Sequence, residues 1–252
     1  LVAPDYDTPS YTKAGMLYDE TSVSVTGPIV AQIQAVFAVD WYYACKEILT
    51  PDVLTSPAAE VAAEREEEQA SAMQIIPSGP AFTGEPNLRA FIHMISSART
   101  HVSITSPYFI PDEALMTALM NAALSGVEVE LFVSEQFDQF LVGHAQRSYY
   151  GPLLKAGVRI HLYHKPRMLH SKYMIVDGSL CVIGSSNMDA RSFGLNYEIV
   201  LVADSSRLVE MLHGNDDRTR DKSRELTYEE WRALPWHVHY IDNVCRLWSS
   251  LL

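Results

Sequence analysis

The chain has 252 residues, enough for one large domain or two small ones with a real core. Its 48% apolar and 20% charged residues are the balance of a globular protein rather than a disordered one. Nineteen Lys and Arg stand against thirty-one Asp and Glu, a net charge of −12, so the broad basic surface of a general nucleic-acid binder is not expected. Three well-separated cysteines (Cys45, Cys181, Cys245) with no CxxC spacing give neither a disulfide framework nor a zinc site, and a reducing compartment fits. No run of eighteen apolar residues occurs, so no membrane span is expected within this sequence.

Residues 1–20 are polar and lack periodicity, whereas Thr21–Thr26 alternates and reads as a strand. Gly27-Pro28 opens a helix to about Leu49, its apolar face formed by Ile33, Phe37 and Trp41. Residues 50–72 read as a linker, with Pro51 and Pro57 followed by an acidic run (Glu60, Glu64, Glu66, Glu67, Glu68). From Met73 the pattern alternates: strand Met73–Pro77, helix Asn87–Arg99, strand His101–Ser106, helix Asp112–Leu124, strand Val127–Val133, helix Gly143–Lys155, strand Val158–Tyr163. Leu169–Val176 and Leu180–Ile183 then flank Asp177-Gly178, a hairpin signal. Strand Tyr197–Val202 and a helix near Ser205–Met211 follow, before an amphipathic tail bearing Trp231, Trp236 and Trp248. The expectation is an α/β fold, a mixed sheet with helices on both faces.

The densest chemical signal is His170-Ser-Lys172, four residues, Asp177, six residues, then Gly184-Ser185-Ser186-Asn187. On a strand His170 and Lys172 share a face, while Asp177 has opposite parity and sits at the turn. An imidazole, a compact cation and the amide of Asn187 suit a tetrahedral phosphorus centre that develops negative charge. No metal-ligand spacing, Walker loop or GxGxxG is present, so neither metal nor cofactor is expected.

The pattern HxKx4Dx6GSxN resembles the phospholipase D superfamily motif at every fixed position, and it implies that superfamily's mixed sheet. Ser106-Pro-Tyr-Phe-Ile-Pro-Asp112, the run from Gly27 to Tyr42, Asn187-Met-Asp-Ala-Arg-Ser192, Leu195-Asn-Tyr-Glu198 and the closing Leu251-Leu252 resemble bacterial cardiolipin synthases in particular. The resemblance covers most of residues 20–252. Such enzymes bring two HxK motifs to one site, but no other histidine here has a lysine two positions on. The resemblance therefore implies a first motif and membrane spans upstream of Leu1. Residues 1–49 would be the tail of a first half, and 73–252 a second phospholipase D-like domain with a helical tail.

The implied activity is phosphatidyl transfer through a phosphohistidine: two phosphatidylglycerols give cardiolipin and glycerol. It would occur at the cytoplasmic face of the cell membrane, with phospholipid, the membrane surface and a first half or second copy as partners, and without nucleic acid. The alternatives are a single-motif phosphodiesterase or nuclease that works as a dimer, and an inactive half. His170 would be nucleophile or acid/base, Lys172 and Asn187 would hold the phosphate, and Glu198 would bond the far imidazole nitrogen. Asp177 reads as a structural turn residue, and Gly184 as part of the motif. Ser185 and Ser186 would donate to phosphate or shape the turn, and Tyr108 would line the lipid pocket or join the core. Arg191 reads as a structural ion pair. The Trp- and Leu-rich tail is either core or an interfacial element.

Overall fold

The computed structural model describes residues 17–50 and 71–251. Eight strands form the main sheet, in the order β12-β6-β5-β3-β8-β9-β11-β2. They are β2 (Ala72–Ser78), β3 (His101–Thr105), β5 (Glu128–Ser134), β6 (Arg159–Tyr163), β8 (Tyr173–Val176), β9 (Leu180–Gly184), β11 (Glu198–Asp204) and β12 (Ser223–Leu226). Strands β3, β5 and β6 run parallel to their neighbours in that trio, and every other pairing is antiparallel. Two small parallel pairs lie outside the sheet. Strand β1 (Leu17–Asp19) pairs with β7 (Arg167–Leu169), and β4 (Phe109–Ile110) with β10 (Met188–Asp189).

Helices cover both faces, as the alternating pattern predicts. One face is buried by α2 (Pro86–Ser97), α3 (Glu113–Leu124), α4 (Phe140–Ser148) and α5 (Tyr150–Ala156), through Phe91, Ile95, Leu115, Leu119, Ala145 and Leu153. The other is buried by Ile29 of α1 (Ile29–Cys45) and by Val209 and Leu212 of α6 (Ser206–Asp221). Two more helices, α7 (Tyr228–Arg232) and α8 (Trp236–Arg246), close the chain with a 3-10 turn at Ser249–Leu251. Helix α8 lies along α4. Local chemistry sets the ends: Asp112 and Ser205 cap α3 and α6, and Thr227 with Glu230 makes a capping box on α7.

Several sequence expectations change. Thr21–Thr26 is not a strand; it pairs with no edge among the described residues, and pairing in this region falls instead to Leu17–Asp19. Gly143–Lys155 divides at Tyr149 into α4 and α5. The break puts Pro152 in the first turn of α5, where its missing N–H costs little. Leu169–Val176 is interrupted, because His170, Ser171 and Lys172 form a non-strand link between β7 and β8. Strand β12 and the long α6 exceed what the tail's pattern suggests. The acidic run of the linker lies outside the described residues, and β2 begins at Ala72, the linker's expected last position.

Helix α1 buries little of itself: Phe37, Val39, Tyr42 and Tyr43 are all more than 40% exposed. No described helix is long and apolar enough to cross a membrane.

Candidate active site

Strands β3 and β5 point their carboxyl ends to the same side of the sheet. Because β8 is antiparallel to β3, its first residue lies there too, as do the end of β9 and the start of β11. His170 and Lys172 of the β7–β8 link, Asn187 after β9 and Glu198 at the start of β11 are therefore delivered to one end of the sheet by three chain segments.

His170 follows β7, and its backbone N–H donates to Asp19 O at 2.8 Å, extending the β1–β7 ladder by one bond. That ladder brings Glu20 onto the imidazole: the Glu20 carboxylate bonds His170 Nδ1. With Nδ1–H donating to Glu20, Nε2 keeps the lone pair. Lys172 Nζ stands 3.3 Å from Nε2 and 3.2 Å from Nδ1, and donates to His170 O at 2.6 Å. The two side chains meet although the link is not a strand. Tyr18 packs against the imidazole, ring centres 4.9 Å apart.

Burial and the Lys172 charge push the His170 pKa down, while the bond and charge of Glu20 oppose them. The balance favours the neutral imidazole over the imidazolium. Burial also pushes Lys172 down to about 8, against the carboxylates of Glu20, Glu198 and Asp189. The ammonium is short of solvation, and an anion placed beside it would supply what burial removed.

Glu198 does not bond His170, which corrects the expectation drawn from the resemblance. Its carboxylate instead accepts from Ser185 Oγ, from Ser192 Oγ at 3.3 Å and from Asn196 Nδ2 at 3.5 Å. The place beside the imidazole belongs to Glu20, 150 residues away in sequence. A positional signal existed: Glu20 lies nine residues before α1 and Glu198 eight before α6. Each acid thus precedes a helix by about one strand length.

Asn187 donates its N–H to Ser192 Oγ at 3.2 Å, and its buried Oδ1 has no hydrogen-bond partner among the described residues. Ser186 is buried and bonds Asn187 O at 3.2 Å, shaping the turn, while exposed Ser185 serves Glu198. Gly184 is dictated by packing: a Cβ there would lie 2.3 Å from Ile199 O and 2.7 Å from Val200 Cα. Tyr108 is brought to the site because the next residue, Phe109, pairs with Met188, the neighbour of Asn187. Its hydroxyl donates to both oxygens of Asp138 at 2.9 Å, and burial with this acid raises its pKa. Asp138 also adds negative charge near His170. Arg191 is exposed and makes no ion pair among the described residues.

Asp177 is elsewhere. It sits in the left-handed region (φ 53°) at the β8–β9 turn. Its carboxylate accepts from the backbone N–H groups of Arg99, Thr100 and His101 at 2.9–3.2 Å, and from Thr100 Oγ1 at 2.8 Å. Burial alone would raise its pKa, but these donors outweigh it and hold the carboxyl low. No group of three or more His, Cys, Asp or Glu side chains is arranged to hold a metal among the described residues.

This fold is that of the phospholipase D class. The chain is similar to Nuc, a phospholipase D family member from Salmonella typhimurium (TM-score 0.54, 20% identity, 63% of this chain and 99% of that one). It is similar also to the phosphatidylserine synthase of Haemophilus influenzae (TM-score 0.65, 14% identity, 88% of this chain and 62% of that one). At these identities the likeness concerns the fold.

Within that class, residues 91–216 match the family described as cardiolipin synthase, PLD-like domain, and the chain belongs to that family. It is 37% identical over 233 residues to a cardiolipin synthase of Halalkalibacterium halodurans, covering 92% of this chain and 45% of that protein. It is 36% identical over 229 residues to cardiolipin synthase A of Serratia proteamaculans, covering 90% and 46%. The chain thus spans about half the length of these curated relatives.

Proposed function

We propose that this chain supplies one half of a metal-free phosphatidyltransferase site that joins two phosphatidylglycerols into cardiolipin and glycerol. The observation that supports it most is the His170 imidazole, bonded at Nδ1 by Glu20 with the Lys172 ammonium beside its ring nitrogens. One imidazole of a pair attacks the lipid phosphorus, forming an N–P bond, while the other protonates the departing glycerol oxygen as the P–O bond breaks. The hydroxyl of a second phosphatidylglycerol, deprotonated by that other imidazole, then attacks phosphorus and breaks the N–P bond. His170 is one of the two. The partner imidazole comes from a further half or a second copy, since no other HxK occurs in the chain.

Lys172 and Asn187 hold the equatorial phosphate oxygens, where charge grows in the transition state. Ser185, Ser186 and Tyr108 line the lipid headgroup, and Asp177 and Gly184 are structural. Glu198 orients the partner imidazole as Glu20 orients His170. The reaction belongs at the cytoplasmic face of the membrane and involves neither nucleic acid nor cofactor.

The test joins this chain to a half bearing the other motif and follows cardiolipin formation. His170→Ala and Lys172→Ala each lower turnover by about 10³-fold or more without unfolding the protein. Substantial turnover by folded His170→Ala refutes the assignment.

A further inference from the structure

Helix α8 is built inside out. Its one acid, Asp242, is 1% exposed and turns inward, where Arg147 holds it with two bonds of 2.7 Å and His144 with one of 2.6 Å. Its largest apolar side chains turn the other way. Trp236 is 79% exposed and Leu247 80%, and Tyr240, Val244, Trp248 and Leu251 are also exposed. At 100° per residue, Trp236, Tyr240 and Val244 fall within about 80° of the α8 circumference, and Leu247, Trp248 and Leu251 follow in the turns just beyond its end. A water-facing helix normally shows the reverse arrangement.

The neighbouring helix also exposes apolar side chains. Helix α4, against which α8 lies, begins with exposed Phe140 and Leu141. Phe140 follows by two residues Asp138, which bonds Tyr108 and whose charge reaches His170.

We propose that the outer face of α8, extended by Phe140 and Leu141, seats this protein on an anionic lipid bilayer beside the active-site mouth. Three features select this occupant. Trp and Tyr are the side chains that favour the headgroup zone, with a ring in the apolar layer and a polar atom in the wet one. The charge suits it: among residues 231–251 the charged side chains other than histidine are Arg232, Arg246 and the buried, paired Asp242. A chain of net charge −12 therefore presents no free carboxylate from this segment. Size argues against a second copy. The face of an 11-residue helix, about 17 Å long and about 10 Å wide, with the short turn beyond it, offers a few hundred Å² at most, well short of the roughly 800 Å² per partner of a stable protein interface. The bilayer as occupant rests on the phosphatidyl-transfer reading, because that substrate lies in a membrane.

The test is flotation of residues 1–252 with vesicles of phosphatidylglycerol and phosphatidylcholine, and with phosphatidylcholine alone. Leu247→Glu and Tyr240→Glu are compared with the unaltered chain after circular dichroism shows that they fold. The unaltered chain floats with the phosphatidylglycerol vesicles, and each variant binds about tenfold or more weakly. Brominated lipid quenches tryptophan fluorescence in the unaltered chain, less so in Trp236→Phe and Trp248→Phe. Mass in solution by light scattering is unchanged by Leu247→Glu. Equal flotation of the glutamate variants, absence of flotation in the unaltered chain, or a dimer dissolved by Leu247→Glu overturns the proposal. Vesicle binding is read without turnover, so His170→Ala floats normally. Loss of the transfer reading and loss of the docking face are therefore separate results.

Discussion

At the scale of single residues, His170 depends on an acid remote from it in sequence. Glu20 both donates its charge and fixes which nitrogen bears the proton, so it is a positioning residue. Glu20→Gln removes the charge but can still accept from Nδ1–H. Because Glu20 raises the His170 pKa against burial and Lys172, its loss moves that pKa further down. The acid limb of kcat/KM therefore shifts to lower pH, and the rate falls by on the order of a hundredfold. A merely structural Glu20 leaves the limb where it was. The measurement is a pH–rate profile of Glu20→Gln beside the unaltered sequence, both joined to the partner half. Lys172 sets the alkaline side. Protonated and buried below about pH 8, it costs stability there, and the cost is relieved as pH rises from about 8 toward the unfolded value.

At the scale of elements, Asp177 shows how a residue inside a catalytic motif can serve the frame. Its carboxylate ties the β8–β9 turn to the α2–β3 connection through three backbone N–H groups and one hydroxyl. Asp177→Ala leaves those donors without their acceptor, and stability falls by about 1–3 kcal/mol in urea titration. The depressed carboxyl makes that contribution present above its unfolded pKa and lost as pH falls through its folded value. Activity per folded molecule stays near that of the unaltered chain. A variant of full stability and no activity contradicts this reading.

The same hairpin shows what the sequence makes legible. Asp177-Gly178 between apolar runs announces the turn, and the alternation of strands and helices announces the layers, because both signals are local. Glu20 is marked only by its spacing from α1, which does not name its partner. Its partner depends on which strand β7 pairs with, a long-range choice that periodicity does not encode. Helix α8 misleads for a related reason. A helical stripe of Trp and Leu signals burial but not which side is buried, and the answer lies in Asp242 reaching Arg147 and His144 on another helix. The division at Tyr149 was available from Pro152, whose missing N–H is tolerated only near a helix start.

At the scale of the whole molecule, the chain covers about 45% of its curated relatives and holds one HxK motif. Purified alone, residues 1–252 should release or transfer phosphatidyl groups at least about 10³-fold more slowly than when mixed with a polypeptide bearing the other motif. Thin-layer analysis of radiolabelled phosphatidylglycerol measures this. Equal rates in a strictly monomeric chain contradict the two-imidazole mechanism.

Strand β1 lies on β7, and Glu20 follows it directly onto His170, while the sequence between them includes helix α1 and four of the eight strands of the main sheet. The His170 imidazole is thus oriented by a segment 150 residues earlier in the polypeptide, an arrangement with the topology of a swapped arm. Dividing such a protein at the acidic stretch would not yield two self-sufficient modules. The fragment with the histidine would lose its acid, and the fragment with the acid would hold nothing for it to orient. Reconstitution from pieces cut there must rebuild β1 on β7 before any chemistry returns, so recovery of activity would report the docking of a three-residue strand.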